Sequence, residues 1–238
     1  MLSFLFPPIC PLCTKELLDK GERICSTCSR SKKKIFITSP TCYSCGKPMK
    51  SYEKEYCSDC RKHPKQFNRG MGLCVYEKPV TDSLAAIKYK NQRKLAGYYI
   101  EEIKKRKYKE LRKLCVDAVI PVPIHKKKRR KRGFNQAEIF AKGIAQMLDV
   151  PMYPKIIERI YDTKPQKQLG PGERKKNLKK AFYGNKKKYL EAGMPKKVLL
   201  VDDIYTTGAT TDAVTLALKS LGVREVYVFC IAIGKGFS

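Results

Sequence analysis

The sequence lacks any hydrophobic run that approaches the roughly 20 residues needed to cross a bilayer, and it is poor in acidic residues. Its 22 Asp and Glu residues face 51 Lys and Arg residues, which gives a formal charge of +29 over 238 residues. The first absence argues against a membrane span. The positive charge exceeds what solubility requires, so it favours a polyanionic partner such as nucleic acid, with a solvated basic surface as the alternative.

A secretory signal is also lacking, because the apolar segment 1–6 has no basic start and ends at Pro7 and Pro8. We therefore expect a reducing, cytoplasmic location, where disulfides are rare. The hydrophobic content of 42% is ordinary, and the length allows one α/β core and a smaller module.

Eight of the eleven cysteines lie before residue 61, in four Cys-x2-Cys pairs. Eleven residues separate the two pairs within each half, so residues 10–28 and 42–60 repeat one unit. Four thiolates so spaced can bind one structural zinc tetrahedrally; disulfides are the alternative. The pattern predicts two structural zinc ribbons, with the ligands Cys10, Cys13, Cys25, Cys28, Cys42, Cys45, Cys57 and Cys60.

The remaining cysteines, Cys74, Cys115 and Cys230, lie in or beside apolar segments. We interpret them as small core residues rather than nucleophiles. His63 follows Cys60 by three residues, and we interpret it as a surface residue rather than a zinc ligand.

The apolar segment 198–201 predicts a buried parallel strand, and Asp202 and Asp203 follow at its carboxyl end, where open α/β sheets bind ligands. A loop of small residues then leads into a helix predicted over 212–221. Its N–H groups and dipole can bind a phosphate, and the two carboxylates can accept hydrogen bonds from ribose hydroxyls. Capping aspartates before an ordinary helix are the alternative. The predicted site comprises Asp202, Asp203, Thr206, Thr207, Gly208, Ala209 and Thr210.

The segments between the cysteines and this site alternate between strand and helix patterns. Strands are predicted at 72–76, 116–123 and 226–233, and helical spacing covers 80–113 and 137–148. Seven consecutive cations at 126–132 must be exposed. Residues 155–197 contain 14 Lys or Arg against 4 acidic residues, which indicates a basic excursion from the core.

The order of the motifs resembles the ComF family, amidophosphoribosyltransferase-like proteins associated with natural competence. Besides the ribbons and the Asp-Asp loop, the motifs are Pro121-Val-Pro123, Arg132-Gly-Phe-Asn-Gln136, and the spaced residues Gln166, Leu169, Arg174, Asn177 and Phe182. The resemblance implies an α/β fold, with a double zinc ribbon over 1–64 and a Rossmann-like type I phosphoribosyltransferase domain over 70–238 that carries basic loops at 124–136 and 155–197.

This resemblance also implies roles for the loop residues. Asp202 and Asp203 would hold the ribose hydroxyls of phosphoribosyl pyrophosphate (PRPP), and residues 206–210 its 5-phosphate. The turn after Pro123 would be the pyrophosphate loop, with Mg²⁺ arriving with the ligand, since no carboxylate cage is visible. The residues of this pyrophosphate or DNA loop are Arg129, Arg130, Arg132, Gly133, Asn135 and Gln136.

Two expected features of related enzymes are lacking. Thr206 stands where the purine-salvage branch of this fold has an aspartate, which disfavours purine salvage. No cysteine follows Met1, which disfavours ammonia delivery from glutamine. No catalytic residue is therefore assigned.

Two functions remain open. The first is a competence and recombination protein that binds PRPP and single-stranded DNA, with a helicase or recombination proteins as further partners; PRPP would order the basic loop and so change DNA affinity. The second is an active phosphoribosyltransferase that acts on an unidentified amine or base. Candidate base-stacking residues are Tyr43, Tyr52, Tyr56, Phe134, Tyr153, Tyr161, Phe182 and Tyr183.

Overall fold

The computed structural model describes residues 9–15, 21–161 and 180–235. Its helices are α1 (Ser26–Arg30), α2 (Lys32–Ile35), α3 (Ser58–Lys62), α4 (Val80–Tyr89), α5 (Ala96–Arg112), α6 (Lys126–Arg132), α7 (Gln136–Leu148), α8 (Lys186–Glu191) and α9 (Ala209–Leu221). Its strands are β1 (Arg69–Val75), β2 (Ala118–Pro121), β3 (Ile157–Arg159), β4 (Phe182–Gly184), β5 (Lys197–Tyr205) and β6 (Glu225–Ile233).

Four strands form a parallel sheet in the order β1-β6-β5-β2. The central strands β5 and β6 are almost wholly buried apolar segments, as expected for strands covered on both faces. Helices α5 and α7 pack on one face, and α9 lies on the other beside the short antiparallel pair β3–β4. The predicted α/β class with a parallel sheet is confirmed.

The two ribbons lie in different apolar clusters. Ribbon 1 (Cys10, Cys13, Cys25 and Cys28) packs with residues of α4 and α5. Ribbon 2 (Cys42, Cys45, Cys57 and Cys60) packs in the cluster that contains Tyr205 and residues of α9. Each ribbon therefore covers part of the sheet domain.

Two local predictions differ from the structure. The helical pattern over 80–113 is divided into α4, a 3₁₀ turn at Arg93–Leu95 and α5, because Asn91 takes a left-handed conformation with φ of 54° and ends α4. Residues 126–132 were expected in a loop, yet they form α6. Lysine and arginine favour helices, His125 caps the amino end, and Gly133 terminates the helix with φ of 80°.

Other predictions concern single residues. Cys74 and Cys230 are buried in the core as predicted, but Cys115 is exposed because it lies in the turn after α5 with φ of 48°. His63 is exposed and ends α3. The motif residues Gln166, Leu169, Arg174 and Asn177 lie outside the described residues. No helix in the described part of the chain is both long and apolar enough to cross a membrane.

Candidate functional site

The Asp pair lies at the carboxyl end of β5, as the sequence predicted, although the strand continues to Tyr205. Both aspartates are buried, and the backbone N–H of Asp203 donates to Oδ1 of Asp202 at 2.8 Å. Burial, and then the neighbouring Asp203 carboxylate, raises the pKa of Asp202 well above its ordinary value. The site therefore holds the two acidic groups in unequal environments.

A lysine that the motif analysis missed belongs to this site. Lys88, in the last turn of α4, forms an ion pair with Oδ2 of Asp203. The pair balances the buried carboxylate, whose side chain is only 5% exposed. Lys88 lies one helical turn after the buried Leu84 and beside Ile87, so a lysine on the apolar face of α4 was the available sequence signal.

The other oxygen of Asp203 connects the site to the basic helix α6. The side-chain amide of Gln136 donates to Oδ1 of Asp203 at 3.1 Å, and Arg132 donates to the amide oxygen of Gln136. The Arg132 guanidinium also lies over the Tyr89 ring, 5.2 Å from its centroid. Gln136 and Arg132 thus form a polar chain from the Asp pair to the end of α6.

Residues 206–210, called the phosphate loop after their predicted role, lead into the amino end of α9. Gly208 has φ of 82° and precedes the first turn. A Cβ at this position would overlap the ring and hydroxyl of Tyr205 beneath it, so both conformation and space require glycine. Thr206 and Thr207 are exposed, and Oγ1 of Thr207 accepts from the N–H of Ala209 at 3.4 Å. Exposed hydroxyls and a helix amino end suit an anionic group.

The remaining residues of the predicted pyrophosphate segment have other contacts. Arg129 forms a two-point ion pair with Glu138, in which one contact measures 3.1 Å. Asn135 caps α7 and donates to the carbonyl of Val122 at 2.9 Å, which fixes the segment to the end of β2. Arg130 is exposed. Its role and that of Arg129 in binding diphosphate stay predictions.

The two ribbons have the geometry of zinc sites. In each, the four Sγ atoms lie within 4.8 Å of one another. The Cys13–Cys25 and Cys45–Cys57 Sγ distances are 3.8 and 3.7 Å, which match the edge of about 3.8 Å expected for tetrahedral Zn–S bonds of about 2.3 Å. Backbone N–H groups of Cys25 and Cys57 donate to sulfurs. These eight thiolates therefore fit two zinc ions that would stabilise the ribbons.

A carboxylate site for Mg²⁺ has no such support. Among the described residues, the two four-cysteine sets are the groups of three or more Cys, His, Asp or Glu side chains that could hold a metal. The Asp pair is instead balanced by Lys88.

The candidate stacking residues divide by exposure. Phe134 and Phe182 are buried, since each packs against the core below an arginine, Arg93 and Arg159 respectively, so the stacking prediction is wrong for these two. Tyr153 is partly buried. The exposed candidates are Tyr43, Tyr52, Tyr56, Tyr161 and Tyr183.

Comparison with known proteins shows the family of the chain. Competence protein F of Haemophilus influenzae is 32% identical over 165 residues, which cover 66% of this chain and 69% of that protein. The chain belongs to the ComF family. DNA utilization protein YhgH of Escherichia coli is 27% identical over 231 residues, covering 94% of this chain and 96% of the relative. Competence protein ComFC of Streptococcus pneumoniae is 30% identical over 138 residues, which cover 57% and 53%.

The amino-terminal part of this ComF chain has its own match. The profile of the double zinc ribbon domain matches residues 1–61, which confirms the predicted ribbon module. Among solved structures, a purine phosphoribosyltransferase from Pyrococcus horikoshii aligns at a TM-score of 0.32 with 19% identity, covering 56% of this chain and 72% of that one.

Proposed function

We propose that this ComF protein binds PRPP at the carboxyl end of β5 and single-stranded DNA along its basic surface, and that it acts in DNA uptake and recombination during natural competence. The central observation is that Asp202, Asp203 and Lys88 converge beside the phosphate loop. The names of the relatives, which refer to competence and DNA utilization, support the cellular role.

The chemistry of the site suits a ribose phosphate. Carboxylate oxygens accept hydrogen bonds from vicinal hydroxyls, so the side chains of Asp202 and Asp203 suit the two hydroxyls of a ribose. Lys88 supplies a positive charge close to the ligand's phosphates. Residues 206–210 would hold the 5-phosphate, and Mg²⁺ bound to the diphosphate would neutralise part of its charge.

The basic helix supports DNA binding. All seven residues of α6 are Lys or Arg, and none is buried. Six of them are exposed. Such a surface attracts phosphates through long-range electrostatics and counterion release. Helicase and recombination proteins are further proposed partners, in agreement with the role of a competence protein.

A coupling between the two ligands follows from the polar chain. Ribose hydroxyls at Asp203 would compete with the amide of Gln136 for its oxygen, and Gln136 in turn holds Arg132 at the end of α6. PRPP would thereby release Arg132 to contact DNA phosphates. The alternative function, phosphoribosyl transfer to an amine or base, is favoured by the intact Asp pair and phosphate loop and would use the same ligand site.

Calorimetric titration of the zinc-loaded protein with Mg-PRPP tests the proposal. We expect saturable binding, and we expect Asp202→Asn with Asp203→Asn to weaken it by about 100-fold, because two strong polar contacts are lost. Asp149→Asn is the control, since Asp149 is an exposed left-handed residue that asparagine tolerates. Absence of binding to the wild type, or equal binding to the double variant, would reject the PRPP site. If PRPP binds, release of pyrophosphate in the presence of candidate amines would distinguish an active phosphoribosyltransferase from a protein that only binds PRPP.

A further inference from the structure

Lys65 connects the end of ribbon 2 to the phosphate loop. Its ammonium donates to the main-chain carbonyl of Thr207 at 2.9 Å, and its side chain is only 3% exposed. Burial removes the ammonium from water, and hydrogen bonds to protein acceptors compensate for the lost hydration. The contact is therefore a fixed part of the structure rather than a surface ion pair.

The same ammonium is held from the side of the ribbon. Oδ2 of Asp59 lies 3.4 Å from Nζ of Lys65 and 3.4 Å from Nζ of Lys47. Asp59 lies in α3 between the ligands Cys57 and Cys60. Because Cys57 precedes Asp59 by two residues and Cys60 follows it directly, zinc bound to both thiolates would restrict where this carboxylate can lie.

Gln66 adds a second connection to the helix that follows the loop. Its N–H donates to Oδ1 of Asp212 at 2.8 Å, and its carbonyl accepts from Nζ of Lys219 at 2.7 Å. Asp212 lies in the first turn of α9 and Lys219 in the last. The segment after ribbon 2 thus holds both ends of α9.

Apolar packing follows the same route. Tyr205 lies against Phe67, with ring centroids 6.4 Å apart, and supports Gly208 from below. Both aromatic residues share an apolar cluster with Cys42, Cys45 and Cys60. The floor of the phosphate loop and the core of ribbon 2 are therefore one packed unit.

The carbonyl held by Lys65 belongs to the peptide that carries the N–H of Gly208. In a planar trans peptide the carbonyl and the N–H point in opposite directions. When Lys65 fixes the Thr207 carbonyl, it also directs the N–H of Gly208 away from the ribbon. This N–H is one of the donors that a phosphate at the amino end of α9 would use.

We infer that Lys65 is a positioning residue of the phosphate loop, and that zinc in ribbon 2 sets the geometry of the loop through Asp59 and Lys65. The inference deepens the proposed PRPP site and rests on it for the identity of the ligand. Ribbon 1 lacks this role, because it contacts the opposite cluster: the carbonyl of Pro11 accepts from Oγ of Ser83 in α4 at 2.5 Å.

The test compares Lys65→Met with Lys62→Met in the full-length, zinc-loaded protein. Lys62 is an exposed residue at the end of α3, so it controls for loss of one charge in the same segment. Amide hydrogen exchange over 206–212 and calorimetric affinity for Mg-PRPP are measured together. We expect Lys65→Met to speed exchange in this segment and to weaken PRPP binding about tenfold, as loss of one charge-assisted hydrogen bond implies.

Lys65→Arg should restore most of both properties, because arginine keeps the charge and the donors. Exchange over β1 should be unchanged, which separates loss of loop order from general unfolding. Unchanged exchange over 206–212 in Lys65→Met would overturn the inference, even if PRPP binds. If the wild type fails to bind PRPP, the proposed function is rejected, while the exchange data still decide the role of Lys65.

The metal is tested with matched ligand variants. Cys57→Ser in ribbon 2 and Cys25→Ser in ribbon 1 occupy equivalent positions of the repeated unit. Bound zinc is quantified by elemental analysis, and exchange over 206–212 is measured again. We expect both variants to lose one zinc, but only Cys57→Ser to loosen the loop. Equal loosening by the two variants would contradict a specific connection from ribbon 2.

Discussion

The ammonium of Lys88 and the carboxylate of Asp203 form an ion pair in which both side chains are largely removed from solvent, at 15% and 5% exposed. The pair joins the end of α4 to the Asp pair of β5. Since ribbon 1 packs against α4, the position of Lys88 also depends on that ribbon. The charge of the Asp pair is thus balanced by a residue of α4, which precedes β5 in the chain.

Lys88→Met is expected to lower the free energy of unfolding by about 3 kcal/mol, because it leaves the buried Asp203 carboxylate without its partner. Urea denaturation measures the loss. Lys90→Met, an exposed neighbour, should change stability by less than about 0.5 kcal/mol. When Asp203→Asn is combined with Lys88→Met, the double variant should lose less than the sum of the single variants. Additive losses would show that the two side chains do not interact.

The stability of the protein should fall as the pH rises through the raised pKa of Asp202. In the unfolded chain Asp202 ionises near its ordinary pKa, whereas burial and Asp203 raise its pKa in the folded protein. The folded state then binds more protons between these two values, so the free energy of unfolding decreases with increasing pH in that window.

Asp202→Asn removes this titration. Relative to the wild type, the variant should gain stability as the pH rises, and it should approach the wild type at pH 4 and below. Urea denaturation from pH 4 to 8 provides the curves, with Asp149→Asn as the control. Curves of wild type and Asp202→Asn that stay parallel over the whole range would contradict the raised pKa.

DNA binding by α6 can be measured through its salt dependence. Changing Lys126, Lys127 and Lys131 to Gln should weaken binding to a single-stranded oligonucleotide and make the slope of log K against log salt shallower by about 2, at about 0.7 per phosphate contact. Fluorescence anisotropy at several salt concentrations gives the slope. The control neutralises three exposed lysines of α5 and its end, Lys104, Lys109 and Lys113. Equal effects of the two triple variants would indicate general charge attraction without a defined surface.

PRPP and DNA should bind cooperatively through Gln136. Saturating Mg-PRPP is expected to raise affinity for single-stranded DNA about fivefold, the size of a coupling near 1 kcal/mol. Gln136→Leu removes the link between Asp203 and Arg132 and should abolish this change, while Gln146→Leu, on the exposed side of the same helix, should preserve it. A DNA affinity that PRPP leaves unaltered in the wild type would exclude the coupling.

Much of the site could be predicted because its signals are local. The apolar run before Asp202 identified β5, and the regular Cys spacing identified both ribbons. Gly208 was recognisable because the turn into α9 requires its conformation. In each case the chemistry depends on residues that are close in sequence.

The residues that sequence reasoning missed act across long distances. Lys88 and Lys65 are ordinary lysines among 51 basic residues, and their partners Asp203 and Thr207 lie far along the chain. Residues 126–132 were also predicted wrongly, as a loop. Their charge indicated that they are exposed, but charge does not distinguish a loop from a helix. Phe134 was misassigned because its burial below Arg93 is a tertiary contact.

The pairing of β1 with β6 has a consequence for how the chain folds during synthesis. β1 is made before most of the domain, yet its partner β6 ends at Ile233. The N–H of Ile37 donates to the carbonyl of Leu73 at one edge of β1. The other edge of β1 can pair only after β6 has been synthesised. The ribbons can therefore acquire zinc while the rest of the chain is still being synthesised, whereas the sheet is complete only once β6 has been made.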